Sequence, residues 1–230
     1  MISHTGTLFN DGPVRRVVET ALRARQSQGV LDLDDELRRF VRTACAADTS
    51  RWLLPVASVA ALLDQTADLW RSEGPAFFPR TFTERLDAAR DGVPGDEYLR
   101  ELAGLIRVVD QEPEAGFVDL PLADWEAAAR FPELFGFGAN WIDDGEYPSL
   151  SDSVMAFVEA EHPFCSETFP RLVADAQSVL VIFPRPAALS ANVTRWIPWV
   201  SHDALREIIR MIDDHMRTEH SERPTRGPSP

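Results

Sequence analysis

The chain contains 230 residues, of which 44% are hydrophobic, and it carries a formal net charge of −14. A chain of this length and composition can bury a substantial core, and no stretch approaches the roughly 20 apolar residues that span a bilayer. These properties exclude a transmembrane protein. The negative charge argues against direct binding to nucleic-acid phosphates, which requires basic patches.

All 23 basic residues are arginine, because the sequence contains no lysine. Schiff-base chemistry with pyridoxal phosphate, the Walker A phosphate site and protein-kinase chemistry each require a lysine and are therefore excluded. The two cysteines, Cys45 and Cys165, are too few for a disulfide scaffold and are expected to be free thiols. The N-terminal residues lack the basic flank and apolar run of a secretory signal, so we expect a cytoplasmic protein without membrane contact.

Helical periodicity predicts five helices with short connections in the first half of the chain, a bundle-like arrangement. Asp11 is expected to cap the first helix, and Thr81 or Thr83 the fourth. An acidic run at residues 32–36 begins the second helix, where carboxylates are favoured by the helix dipole. In chain order, the predicted helices cover residues 13–22, 33–45, 55–70, 81–90 and 99–109.

The second half is predicted to contain further helices at residues 121–130, 151–162, 167–177 and 201–220. Ser151 and Ser201 are expected to cap the second and the last of these. Between the first two, residues 131–151 are expected to form a long aromatic loop that contains three glycines. Residues 221–230 are polar and rich in proline, and are expected to be disordered.

A short β element is also expected in the second half. The β-branched run SVLVIF, at residues 178–183, is bounded by prolines and predicts a buried strand. Residues 193–200 are the candidate for a second strand, which Pro198 would confine to an edge. We therefore expect a mainly α fold with a minor β element at about residues 178–200, with an α+β fold as the alternative. One domain over residues 1–220 is favoured over a division near residue 111.

Negative charge is concentrated in residues 111–177, which contain 14 acidic residues and two arginines, for a net charge of −12. The same segment holds 10 of the 21 aromatic residues. Aromatic anchors supply binding energy at interfaces, and a field of one sign steers an oppositely charged partner. The pattern favours a noncatalytic binding module of the inhibitor, immunity or adaptor type, which engages a basic partner protein and needs no cofactor. The expected contact residues are Trp125, Trp141, Asp143, Asp144, Glu146 and Tyr147.

Two alternatives accompany this hypothesis. The aromatic residues of the segment are equally consistent with a core whose solvated exterior carries the acids. The chain is also consistent with a structural helical subunit of a homo-oligomer.

A small, metal-dependent enzyme is the main functional alternative. Glu159, Glu161, His162 and Cys165 combine oxygen, nitrogen and sulfur ligands within seven residues, and the histidine is a candidate to activate the thiol. The two glutamates diverge by about 200° on a helix, so a solvated helix end with a buried cysteine is the competing interpretation.

Three further groups of residues contain side chains of the types that form metal or catalytic sites. Asp143, Asp144 and Glu146 are candidates to bind a divalent cation, although their spacing also suits an ordinary turn. The dipeptide His202–Asp203 resembles that of HD-type metal phosphohydrolases over two residues only, and a histidine following the Ser201 cap is favoured instead. In the last helix, the group Asp213, Asp214 and His215 is expected to form a solvated face that pairs with Arg206, Arg210 and Arg217.

Overall fold

The computed structural model describes residue 9 and residues 12–45 and 55–220. The chain divides into two compact units, Met1–Leu120 and Pro121–Pro230. The predicted cap Asp11 and the predicted disordered tail at residues 221–230 lie outside the described residues.

Regular secondary structure in the described part of the chain is entirely helical, which confirms the predicted mainly α fold. A short 3₁₀ turn at Pro75–Phe77 and a π turn at Ser190–Thr194 join longer helices. The α-helices are α1 Pro13–Gln26, α2 Leu33–Cys45, α3 Val56–Glu73, α4 Arg80–Ala89, α5 Gly95–Gln111, α6 Asp124–Arg130, α7 Pro132–Trp141, α8 Leu150–Glu161, α9 Cys165–Ile182, α10 Pro186–Leu189 and α11 His202–Glu219.

The first unit is built around the long helices α3 and α5, which pack against each other. Leu63 of α3 and Ile106 of α5 are fully buried, as the amphipathic pattern predicts. Arg42 of α2 is also buried, and its Nη1 donates hydrogen bonds of 2.9 Å to the carbonyl oxygens of Ala115 and Leu120. This guanidinium therefore satisfies two backbone acceptors at the end of the unit.

Helix α4 begins differently from the prediction, because Pro79 occupies the N-cap position in place of Thr81 or Thr83. The carbonyl of Pro79 accepts the backbone N–H groups of Phe82 and Thr83. A proline immediately before a helix supplies a fixed φ angle and loses no helical hydrogen bond there.

The second unit has an aromatic core. Helix α9 packs against α11 and α7, while α8 packs against α11. Four of the phenylalanines from the acidic segment are buried there, namely Phe131, Phe137, Phe157 and Phe169. The predicted cap of α11 is confirmed, since Ser201 Oγ accepts the backbone N–H of Ala204 at 3.1 Å.

The expected strand at residues 178–183 is wrong, because residues 178–182 form the last turns of α9. Leu172, Ala176, Val179 and Phe183 are buried at helical spacing, whereas Val181 is 78% exposed. The apolar run thus continues a stripe that begins earlier in the helix. A run of five apolar residues alone does not distinguish a strand from a buried helix. Residues 193–200, the candidate second strand, form part of the π turn and an irregular segment.

The expected long loop at residues 131–151 is also wrong, since α7 occupies Pro132–Trp141. Gly138 lies at a close contact: a Cβ atom there would come within 2.5 Å of Trp199 Nε1. The glycine therefore permits close ring packing and does not mark a loop. Ser149, in place of Ser151, caps α8 by accepting the backbone N–H of Asp152 at 3.2 Å.

Candidate metal centre

Four potential metal ligands converge in the second unit. The ligand atoms of His162, Cys165, His215 and His220 all lie within 4.8 Å of one another. This cluster contains three of the chain's five histidines and one of its two cysteines. Among the described residues, no other set of three or more histidine, cysteine, aspartate or glutamate side chains converges in this way.

Three helix ends place these ligands. His162 is the residue that ends α8, Cys165 is the first residue of α9, and His215 lies in the last turns of α11. His220 follows the end of α11, where its backbone N–H donates to the carbonyl of Met216 at 3.1 Å. The cluster therefore connects residues separated by about 50 positions in the sequence.

Three distances within the cluster are close to those between ligands of a tetrahedral zinc ion. Cys165 Sγ lies 3.6 Å from His162 Nδ1 and 3.3 Å from His215 Nε2, and His215 Nε2 lies 3.2 Å from His220 Nε2. With Zn–N bonds of about 2.0–2.1 Å and Zn–S bonds of about 2.3 Å, a tetrahedron has N–N edges of about 3.4 Å and N–S edges of about 3.6 Å.

The distances between the centroids of the imidazole rings give a second geometric test. The three ring centroids lie 5.1, 5.2 and 5.7 Å apart. Imidazoles bound through nitrogen to one tetrahedral zinc would have centroids about 5 Å apart. Three ligand-atom distances and the spacing of the three rings are therefore close to the values expected around one zinc ion.

The environment favours the neutral form of the central histidine. Burial lowers the pKa of His215, and positive charge on His220 or His162 would lower this pKa further. A neutral imidazole is the form that binds a metal. Burial also raises the pKa of the Cys165 thiol, and the Glu161 carboxylate adds to this effect against an opposing backbone hydrogen bond. A bound cation would reverse the balance for the thiol, because coordination favours the thiolate.

The two glutamates that the sequence grouped with His162 and Cys165 lie outside the ligand set. Glu159 is exposed on α8. Glu161 accepts a hydrogen bond of 2.9 Å from Thr168 Oγ1 on α9. This bond spans the turn that carries His162 and Cys165, so Glu161 is placed to hold the turn in position.

A groove runs beside the cluster, between α8 and α11. It encloses about 840 Å³ and shares the rings of His162 and His215 with the cluster. Its α8 wall carries Asp152, Met155 and Glu159, and its α11 wall carries Met211 and Glu219. The volume lies within the range of ligand-binding clefts.

The residues expected to contact a basic partner are placed in two locations. Trp125 is half-buried on α6, whereas the other five occupy residues 141–147 at and after the end of α7. The carboxylates of Asp143, Asp144 and Glu146 are exposed, and the rings of Trp141 and Tyr147 lie 6.1 Å apart. The partner surface predicted from these residues stays a prediction.

Two predictions concern α11: the solvated face around Asp214, and the role of His202 at the start of the helix. Asp214 pairs with Arg210 and Arg217, as the solvated-face interpretation predicts, but His215 is half-buried within the cluster. His202 Nε2 donates to the carbonyl oxygen of Phe183 at 2.9 Å, at the end of α9. This contact gives His202 a structural partner.

His162 and Cys165 were predicted together from the sequence, whereas His215 and His220 were not predicted as their partners. Residues five apart diverge by about 140° on a helix, so periodicity separates the last two histidines. The available signal was scarcity, since three of only five histidines lie near two helix ends in one half of the chain.

Comparison of the chain with protein-family models, with curated proteins and with solved structures found no match. No helix in the described part of the chain is both long enough and apolar enough to cross a membrane.

Proposed function

We propose that this chain is a noncatalytic zinc-binding protein whose ligands are His162, Cys165, His215 and His220. The observation that carries this proposal is the convergence of their four ligand atoms within 4.8 Å. Three neutral imidazole nitrogens and one thiolate form a ligand set that suits zinc, which is borderline-soft and prefers tetrahedral coordination.

Four protein ligands favour a structural role for the metal. Structural zinc sites are typically closed by four side chains, whereas catalytic sites keep one position for water or substrate. Here the ion would tie the ends of α8 and α11 to the start of α9. We further propose a cytoplasmic location, because a reducing compartment keeps the Cys165 thiol available for the metal.

Metal analysis tests the proposal directly. Protein equilibrated with zinc and then desalted is expected to contain one zinc ion per chain, measured by inductively coupled plasma mass spectrometry. Cys165→Ser and His215→Ala are expected to lose stoichiometric zinc. Cys45→Ser and His202→Ala remove the same chemical groups outside the cluster and are expected to retain it. Equal zinc content in all five proteins would contradict the assignment.

Thiol reactivity gives an independent readout of the same site. Cys45 is exposed, whereas Cys165 is buried. In the zinc-loaded protein we expect an alkylating reagent to modify Cys45 and leave Cys165 unmodified, because coordination occupies the sulfur. Chelation is expected to increase the modification of Cys165 alone. An unchanged rate at Cys165 after chelation would count against coordination by this thiol.

A metal-dependent enzyme is the second candidate, because His162 and His215 line the groove as well as the cluster. The two roles differ in whether the metal has an exchangeable position. In cobalt-substituted protein, the visible absorption of a closed four-ligand site is expected to stay unchanged when azide is added. A change in the bands on addition of azide would favour the enzyme.

A further inference from the structure

The groove between α8 and α11 has walls that come from one face of each helix. Asp152, Met155 and Glu159 follow one another at intervals of three and four residues on α8, and Met211, His215 and Glu219 follow at intervals of four on α11. Residues at these spacings lie above one another along a helix. The groove therefore follows the helices lengthwise, for about 15 Å along residues 152–162.

The floor of the groove is apolar and accessible. Val154 is fully buried beneath it, while Met155 remains 63% exposed. Methionine side chains are flexible and polarizable, and they adapt to apolar groups of different shapes. Met155 lines the groove together with Pro148, Val158 and Met211, so the apolar groups form a continuous surface that suits apolar side chains of a partner.

The rim of the groove is negatively charged. Asp152, Glu159 and Glu219 are exposed and lie along the two walls, and the described lining contains no arginine. Among the described residues, no arginine pairs with Glu159 or Glu219, although Arg206, Arg210 and Arg217 all pair with acids elsewhere on α11. The negative field of the rim is thus left available to an external cation.

We propose that this groove binds a basic amphipathic helix of a partner protein. The apolar face of that helix packs on Met155 and Met211, and its arginine or lysine residues pair with Glu159 and Glu219. A length of about 15 Å accommodates roughly ten helical residues, which suits a helix with anchors at positions i, i+3 or i+4, and i+7. The charge of the rim selects a basic helix over an acidic or neutral one.

This inference does not require zinc, because Met155, Met211 and the two glutamates are not ligands, although the rings of His162 and His215 belong to both the groove and the cluster. Zinc content is measured in every variant, so loss of the metal and loss of the groove are distinguishable. The probe is a fluorescent 14-residue helical peptide with leucine anchors and flanking lysines. Two control peptides are used: one with glutamine in place of each lysine, and one with the lysine peptide's composition in scrambled order.

The charge test compares two double variants with the same net charge. Glu159→Gln with Glu219→Gln is expected to weaken binding of the lysine peptide by about 10-fold, measured by fluorescence anisotropy. Glu97→Gln with Glu101→Gln neutralises two exposed glutamates of α5 in the other unit and is expected to change binding by less than about 2-fold. The glutamine peptide is expected to bind more weakly and to discriminate little between the variants.

The apolar test uses two exposed positions of the second unit. Met155→Ser is expected to weaken binding of the lysine peptide by about 5-fold or more, because a leucine anchor loses its contact. Val181→Ser removes an apolar side chain that is 78% exposed on α9 and outside the groove, and it is expected to leave binding unchanged.

Three results would overturn the proposal. Equal affinity of the two double variants would place the charge recognition elsewhere. Equal affinity for the amphipathic and scrambled peptides would show general attraction to an acidic protein only. Light scattering that reveals a dimer, disrupted by Met155→Ser and resistant to the peptide, would assign the groove to a second copy of this chain.

Discussion

The two units of the molecule use acidic residues in different ways. In the first unit, acids pair with arginines from other helices: Asp68 with Arg100 at 2.6 Å, Asp96 with Arg71 at 2.6 Å, and Asp64 with Arg107. In the second unit, residues 121–177 contain 11 acids and only two arginines, and the pairs formed by Arg206, Arg210 and Arg217 join residues within α11. Net charge alone therefore does not indicate where a protein projects an electrostatic field, because pairing decides which charges remain available.

The units also differ in the environment of their cysteine side chains. Cys45 of the first unit is an exposed thiol at the end of α2, whereas Cys165 of the second unit is buried against two histidines. The first unit contains ion pairs between its helices, and the second unit brings together four potential metal ligands.

Zinc is expected to produce the largest difference between the units. At free zinc of about 1,000 times the dissociation constant, binding to the folded state stabilises it by about 4 kcal/mol. We expect this stabilisation at α11 and not at α3, because the ligands lie in the second unit only. Hydrogen exchange measured with and without chelator reports the two helices separately.

An equal change in hydrogen exchange in α3 and α11 would contradict this prediction, because it would show that the metal stabilises the whole chain. Cys165→Ser should reproduce the effect of the chelator on α11. Cys45→Ser is the matched control, and its exchange pattern should still respond to zinc.

Close glycine–tryptophan contacts are expected to make both units similarly sensitive to an added methyl group. A Cβ atom at Gly138 would come within 2.5 Å of Trp199 Nε1, and one at Gly95 within 2.6 Å of Trp70 Nε1. Overpacking of this kind costs about 1–3 kcal/mol. We expect Gly138→Ala and Gly95→Ala each to lower the free energy of unfolding by about 1–2 kcal/mol, measured by urea denaturation.

The matched controls are glycines inside helices with open space at the Cβ position, Gly136 of α7 and Gly104 of α5. Substitution of either by alanine is expected to raise stability by up to about 1 kcal/mol, because alanine has the higher helix propensity. A loss of stability in these controls would show that the propensity argument fails for this chain.

The two units are also expected to differ in how the pKa of one carboxyl group in each affects stability. In the second unit, burial raises the pKa of Asp175 to about 6, against the opposing hydrogen bonds from the backbone of Glu133 and Leu134. The folded state then binds more protons than the unfolded state between pH 3.8 and about 6, so this group's contribution to stability is lost as pH rises through that window.

Asp175→Asn keeps an acceptor for the Glu133 N–H, which lies 2.9 Å from Asp175 Oδ2, but removes the titration. We expect the free energy of unfolding of this variant to lose the decrease between pH 4 and 6, measured by urea denaturation at each pH. An unchanged pH profile would show that another group titrates in this window.

Asp96 of the first unit is expected to show the opposite sign. Although partial desolvation acts to raise its pKa, hydrogen bonds and charge from Arg71, with Arg100, lower the pKa below 3.8. Its contribution to stability is present above pH 3.8 and is lost as pH falls through the lower folded-state value. Asp96→Asn should therefore reduce stability at neutral pH and flatten the acid limb of the profile below pH 3.8.

Sequence patterns predicted the long amphipathic helices well, because burial of one face repeats every 3.6 residues. Helix α11 follows this rule, with Leu205, Ile208 and Ile212 buried. The run at residues 178–183 misled the prediction, since β-branched residues are frequent in strands but also fit a helix whose inner face is already apolar. Helix α7 was missed because two of its ten positions are glycine, although Gly138 serves a ring contact.

Local sequence is sufficient to specify the helical class, the concentration of acid in residues 111–177, and the proximity of His162 to Cys165 across a short turn. Tertiary structure alone decided that His215 and His220 join them, because the packing of α11 against α8 and α9 brings together residues about 50 positions apart. It also decided which acids remain without arginine partners, since pairing across helices depends on which faces meet. Local periodicity specifies the face of each helix, whereas the ligand set and the groove depend on distances between helices.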